Sequence, residues 1–281
     1  MNLIHVVHPL DDLAAPVLLG AFDGWIDAAG SASATADHLA RDADTVATFD
    51  PDALFDYRSR RPVLDVVDGV LSRLDYPQLA IRRRRVGGRD LLVLHGAEPD
   101  FRWKQLADDV MEFALTYGVV EWVSIGAVPA AVPHTRPVPV FATASDAGLL
   151  RHGETHGPEG LLRVPAAALS VVEMGVAGAG IPATGFYAQV PPYVGGPYAA
   201  GSIALVEQIA RHLEIEVPLG SLMDEANAQR IGLDAAVQAQ EETRDFVTRL
   251  EEQQPDDGIP SGDELASEIE RYLRDAGDDP R

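Results

Sequence analysis

Residues 91–110 read LLVLHGAEPDFRWKQLADDV and place two carboxylates, Glu98 and Asp100, between an apolar run and a helical pattern. Carboxylates at the end of a buried strand are where α/β enzymes put acid–base catalysis, one group giving a proton and the other taking it. The alternative is structural. Asp100 follows Pro99 at a helix start, so its carboxylate can accept the first free backbone N–H groups, and Arg102 stands near enough to neutralise Glu98. No nucleophile, histidine motif or phosphate loop accompanies the pair, so capping is the preferred reading. Asp23 and Asp27, on either side of Trp25 in GAFDGWIDAAGS, pose the same choice.

Other candidate chemistry is thinner. GWIDAAGS has the glycines of a phosphate loop but not the lysine that neutralises β/γ-phosphates. The patterns G-x-G-x-x-G, G-x-S-x-G and H-E-x-x-H do not occur. RHGETHG brings His152, Glu154 and His156 together, a set able to hold zinc, but its glycines suit a solvated loop rather than a rigid ligand face. RRRR at 82–85 is the only dense basic patch. Successive strand residues point to opposite faces, so four arginines in a row imply a hairpin wet on both sides, or a docking arm for an acidic partner or a sister subunit. In PHTRP, His134 and Arg136 could hold an anion, or the two prolines could simply stiffen a turn.

The elements that must position these residues alternate. PVLLGAF (16–22), DTVATFD (44–50), VVEWVSIGAVPA (119–130), VPVFATAS (138–145) and ATGFYAQV read as strands, and LAIRRRRV-GG-RDLLVLHG reads as a hairpin turning at Gly87-Gly88. Helices are expected after residue 25, over 101–117, over AAALSVVEMGVAGAG, and over 197–213 with Ile203, Val206, Ala210 and Leu213 on one face. Ser221 is placed to cap a further helix beginning with Asp224 and Glu225, interrupted at Gly232 and resuming through 253. This order predicts an α/β sandwich with a mostly parallel or mixed sheet over 1–218, a helical extension over 219–253 lying outside or between subunits, and a flexible acidic tail over 254–281.

Composition narrows the function classes. The chain has 281 residues, 46% of them hydrophobic, which is ample for a core. It has no cysteine, so disulfides, thiol nucleophiles and thiolate–metal sites are out, and a cytoplasmic protein is expected. Lys104 is the sole lysine. No apolar run is long enough to span a membrane, and MNLIHVVHPLDD does not read as a signal peptide. The net charge of -22 would repel a phosphate backbone, so nucleic acid is not an expected partner.

Several ordered segments carry a resemblance: GAFDGWIDAAGSASATADHL, the hairpin leading to HGAEPDFRW, PHTRPVPVFATAS, and GFYAQVPPYVGGPYAAGSIALVEQI with the helical end after it. Over residues 10–253 the chain resembles the proteasome assembly chaperone 2 family, in particular its actinobacterial branch. The resemblance implies a three-layer α/β/α sandwich with a mixed sheet, a scaffold like that of nucleoside phosphorylases and hydrolases, and self-assembly into a trimer. It also implies protein partners such as proteasome subunits, which eukaryotic and archaeal relatives bind. Archaeal relatives dock through a tail ending hydrophobic–tyrosine–any residue. Here the sequence closes DAGDDPR and Tyr272 is internal after Arg271, so tail docking is not expected.

Asp23, Trp25, Asp27, Glu98, Asp100, Arg102, Trp103, His134 and Arg136 are thus expected to line a cleft or a partner surface, with no catalytic role, cofactor or metal assigned. The leading expectation is an oligomeric, protein-binding chaperone or adaptor. The competing one is a hydrolase or nucleoside-processing enzyme on the same scaffold, using Glu98 and Asp100.

Overall fold

The computed structural model describes residues 2–158 and 160–253. The acidic tail 254–281, with Tyr272, lies outside the described residues. Among the described residues ten strands form: β1 (Ile4–Val6), β2 (Val17–Asp23), β3 (Asp44–Phe49), β4 (Val63–Val67), β5 (Val70–Asp75), β6 (Leu79–Val86), β7 (Arg89–Ala97), β8 (Glu121–Pro129), β9 (Val140–Ala144) and β10 (Ala183–Val190). The helices are α1 (Ser31–Leu39), α2 (Pro51–Leu54), α3 (Trp103–Thr116), α4 (Ala168–Gly178), α5 (Ala199–Leu213), α6 (Leu222–Ala239) and α7 (Glu241–Gln253).

Eight strands make one mixed sheet in the order β1-β3-β6-β7-β2-β8-β10-β9. Its centre, β7-β2-β8-β10, is parallel, and the strands outside it pair antiparallel. Central parallel strands are covered on both faces, which is why they read as unbroken apolar runs. Alternation then divides each run. Leu18, Leu92, Leu94 and Trp122 pack under α3 and α4. Leu19, Leu91, Val93 and Ile125 pack under α1 and α5. The fold is the expected three-layer α/β/α sandwich, with helices α6 and α7 added at its carboxyl end.

Four local expectations fail. The arginine hairpin is not wet on both sides. β6 pairs with β3 as well as β7 and so lies inside the sheet. Arg83 Nε donates to the fully buried Asp90 at 2.8 Å, and Arg84 reaches the His38 and Leu39 carbonyls at the end of α1. Gly232 does not interrupt α6, which runs unbroken to Ala239, and the chain turns at Gln240 instead. Ser221 precedes α6 without a side-chain capping bond. The buried face of α5 also sits slightly off the expected one, on Leu205, Val206, Ile209 and Leu213.

One element went unread. β4 and β5 form a separate two-stranded sheet, turned by Asp68 and Gly69 with φ of 52° and 79°. An Asp-Gly pair at positive φ is the standard two-residue hairpin turn.

Candidate functional site

The four carboxylates at the ends of β2 and β7 are each committed to the backbone. The two oxygens of Glu98 take different partners. Oε2 accepts the Trp25 N–H at 3.1 Å, and Oε1 accepts the Ala168 N–H at 2.8 Å, the first residue of α4. Glu98 therefore ties the loop after β2 to the start of a helix 70 residues away. Gly24 is required for this: at φ 148° a Cβ there would sit 2.5 Å from Glu98 Oε2. Asp23 Oδ1 accepts the Glu98 N–H at 3.1 Å and Arg60 Nη1 at 2.6 Å, while Arg60 Nη2 reaches the Asp23 carbonyl at 3.1 Å.

Helix capping does occur here, through Asp27, which posed the same choice, and not through Asp100. Asp27 Oδ1 accepts the Ala32 and Ser33 N–H groups at 2.7 and 3.2 Å, capping the first turn of α1. Burial raises its pKa, and these hydrogen bonds only partly offset the effect. Asp100 caps nothing. Its Oδ2 accepts the Asp56 N–H at 2.8 Å, and the Asp100 and Phe101 N–H groups donate to the Leu54 carbonyl, so it fastens the segment after α2 to the entrance of α3. The residue preceding α3 is Arg102, in the left-handed region at φ 59°. Arg102 does not neutralise Glu98, since its Nη1 points to Gln105 at 3.4 Å. The two tryptophans complete the lacing: Trp25 Nε1 donates to the Pro165 carbonyl and Trp103 Nε1 to the Pro99 carbonyl.

His134 and Arg136 belong to a different network. The His134 ring lies between the Tyr193 hydroxyl at 2.8 Å and Asp234 of α6 at 3.1 Å. Arg136 Nη2 donates to the Glu251 carbonyl in α7, and Thr135 bonds the Glu251 side chain. PHTRP is thus the seat of the helical extension. Arg230 of α6 closes it by donating to the His134 carbonyl at 3.0 Å.

RHGETHG takes a third role. Among the described residues no three of His, Asp and Glu are grouped to hold a metal ion. The segment is a largely solvated loop, as expected, but the Glu154 side chain turns inward and is 6% exposed. It accepts His212 Nδ1 at 2.6 Å, and Glu121 accepts His212 Nε2 at 2.5 Å. Burial disfavours the charged ring of His212, but the bonds and charges of Glu121 and Glu154 outweigh it and hold the pKa above its ordinary value. Burial likewise disfavours the charged form of Glu121, and His212 overcomes this to lower its pKa.

Sequence reasoning passed over two further features. The first is a cleft of about 490 Å³ beside Asp23, lined by α1, the segment leading into β6, the end of β7, Arg60, Arg61 and the feet of the β4–β5 hairpin. In it His95 Nδ1 meets Asp37 Oδ1 at 3.2 Å. This pairing across 58 positions follows from strand register and leaves no local trace. The second is the hairpin itself. Its side chains Val63, Leu64, Val66, Val67, Val70, Leu71 and Leu74 stand out in solvent, with Leu71 71% exposed. The Asp68-Gly69 turn was a readable sign of it.

The fold and these networks define an α/β/α protein with laced strand ends, a clamped helical pair and a projecting apolar hairpin. The PAC2 family pattern matches residues 21–237, and the chain belongs to that family. Solved structures agree. An unknown-function protein of Mycobacterium tuberculosis, Rv2714, is 31% identical, covers 96% of each chain and superposes with a TM-score of 0.85. The proteasome-assembly chaperone homologue Rv2125 of the same organism is 33% identical over 82% of this chain and 99% of its own, at TM-score 0.75. Pyrococcus furiosus PbaB, an archaeal proteasome activator, shares the fold at 16% identity, covering 83% of this chain and 97% of its own, at TM-score 0.66. No curated protein matches the chain. Among the described residues no helix is long and apolar enough to cross a membrane.

Proposed function

We propose that the protein is a self-assembling, protein-binding chaperone or adaptor of the cytoplasm, with a trimer as its working form and the β4–β5 hairpin as its assembly arm. The carrying observation is the hairpin. An isolated two-stranded ribbon is marginal in water. This one presents seven large aliphatic side chains on two faces, with only Asp65, Ser72, Arg73 and the terminal Asp75 to wet it within the strands. Contiguous exposed apolar surface of this kind belongs to interfaces. Every molecule carries the arm, so the partner always present at matching concentration is another copy of the chain.

Family membership supports the protein-binding half of this reading, since Rv2125 is described as a proteasome-assembly chaperone homologue. Proteasome subunits are the first partners to test. The strand-end carboxylates support it too, because each is occupied by backbone N–H groups and Asp23 also by Arg60. A general acid or base must be within reach of its substrate.

The test is multi-angle light scattering on the purified chain. The expected mass is three times that of the protomer. A monomer at micromolar concentration would remove the assembly arm and the reading built on it.

A further inference from the structure

The cleft at the root of the hairpin contains charges that are already paired and one that is not. Asp23 is held by Arg60, Asp37 by His95, and Asp75 by Arg73 at 2.7 Å. Arg61 lines the same cleft, exposed, and takes no ion-pair or hydrogen-bond partner among the described residues. A guanidinium without a partner presents a planar fork of donors suited to a carboxylate.

His95 supplies a second unmet group. The Asp37 carboxylate accepts from Nδ1–H, and in the neutral ring that leaves Nε2 as a hydrogen-bond acceptor. Nε2 is buried and has no partner. Beside it Arg82, which faces the same side of the sheet as Ala80, the cross-strand partner of His95, holds a buried and unpartnered Nε. Native proteins rarely leave such atoms unmatched, and an unmatched one calls for a specific reason.

The place is also apt. The cleft opens outside the carboxyl ends of the parallel strands β2 and β7, where open α/β sheets receive ligands. Its volume falls in the usual range of small-molecule sites. Ser33, Tyr76 and Gln78 add neutral polar groups to its walls.

We propose that this cleft binds a small polyhydroxylated carboxylate, an acid of the sugar-acid type, with its carboxylate on Arg61 and a hydroxyl donating to His95 Nε2 once a shift of the ring uncovers that buried nitrogen. Arg61 is the one unpaired guanidinium among the residues that line the cleft, and it matches a single carboxylate. A phosphate dianion would meet Asp23, Asp37 and Asp75 with too little opposing charge. Val63 and Asp75-Tyr76, the two feet of the hairpin, form part of the wall, so an occupant touches the root of that arm. The site stands independently of the assembly reading.

The probe is gluconate, titrated into the full chain while the ring resonances of His95 are followed, assigned by their loss in His95→Gln. Hexanoate removes the hydroxyls, sorbitol removes the carboxylate, and inorganic phosphate tests a bare anion site. Gluconate is expected to shift the His95 resonances saturably. Arg61→Gln, an exposed substitution that should leave the fold intact, is expected to weaken binding about tenfold, the effect of losing a charge-assisted bond. Hexanoate and sorbitol should each bind at least about tenfold more weakly than gluconate. Unmoved His95 resonances at millimolar gluconate, binding indifferent to Arg61→Gln, or phosphate binding tighter than gluconate would each overturn the assignment.

Discussion

The ends of β2 and β7 and the β4–β5 hairpin treat their side chains in opposite ways. At the strand ends, Asp23, Asp27, Glu98 and Asp100 look like the furniture of an active site, yet every one is bonded to the protein's own backbone. On the hairpin, plain valines and leucines with no chemistry to offer are held out in water. Residue type alone would have put function at the first region and filler at the second. What separates them is whether each group's needs are met inside the chain. The carboxylates have their partners, whereas the aliphatic arm needs one from outside.

The sharpest way to break this comparison is to charge the arm. Val66 and Leu71 face each other across the hairpin. The double substitution Val66→Asp, Leu71→Asp should convert the proposed oligomer to monomer at micromolar concentration, because placing unpaired charges in an apolar interface costs several kcal/mol. The thermal midpoint of the monomer should otherwise be close to that of the parent subunit, since both side chains are exposed within the protomer. Light scattering and calorimetry read the two effects separately. An oligomer that survives the double charge would move the interface elsewhere.

The strand ends should respond in the opposite sense, losing stability but keeping assembly geometry. Glu98→Ala frees the Trp25 and Ala168 N–H groups together. Two lost acceptor bonds, one of them a helix cap, should cost about 2–4 kcal/mol in urea unfolding. A loss below about 1 kcal/mol would mean that water replaces the carboxylate without penalty, and the lacing account would fail.

How much of this was legible follows from what each feature depends on. The parallel strands were readable because burial on both faces leaves a run of apolar residues. The hairpin turn at Gly87-Gly88 was readable because positive φ at both positions, 58° and 82°, needs residues of that kind. Asp68-Gly69 carried the same information, but VLDVVDGVLSRL lacks the alternation that marks a strand with one buried face, and none of it is buried. The destinations of the carboxylates were not legible. Asp100 stands next to a helix and bonds a loop 44 positions earlier, while Asp27 stands four residues before α1 and caps it. Such choices depend on which backbone groups the sheet register brings within 3 Å. PHTRP likewise carries no mark of the two helices that settle on it.

A third region, at the amino end of β8, titrates. His212 has a folded pKa above its ordinary 6.5, so its contribution to stability is complete below that value and is lost as pH rises through the folded pKa. Glu121 has a folded pKa below its ordinary 4.5, so its contribution is present above 4.5 and is lost as pH falls through the folded value. The cluster should therefore stabilise most between these two ordinary values. Unfolding free energy should fall by about 1–2 kcal/mol on going from mildly acid to alkaline buffer, and His212→Gln should flatten that slope. An unchanged slope in the variant would show that the imidazole is not the titrating group.

The smallest expected effect separates two explanations of one residue. If Asp100 capped α3, its charge would matter through the helix dipole, and Asp100→Asn would lose part of that stabilisation. In the structure its Oδ2 instead accepts one N–H, from Asp56, and α3 begins two residues beyond Arg102's predecessor, Phe101, with no side-chain cap. An asparagine carbonyl can accept the same N–H in the same place. Asp100→Asn should therefore cost less than about 0.5 kcal/mol, whereas Asp100→Ala, which removes the acceptor, should cost about 1 kcal/mol. Equal losses in the two variants would return the charge to the helix end. A near-silent amide beside a costly alanine would place Asp100 with Glu98, as a carboxylate kept for its oxygen's reach to the backbone rather than for its charge or its proton.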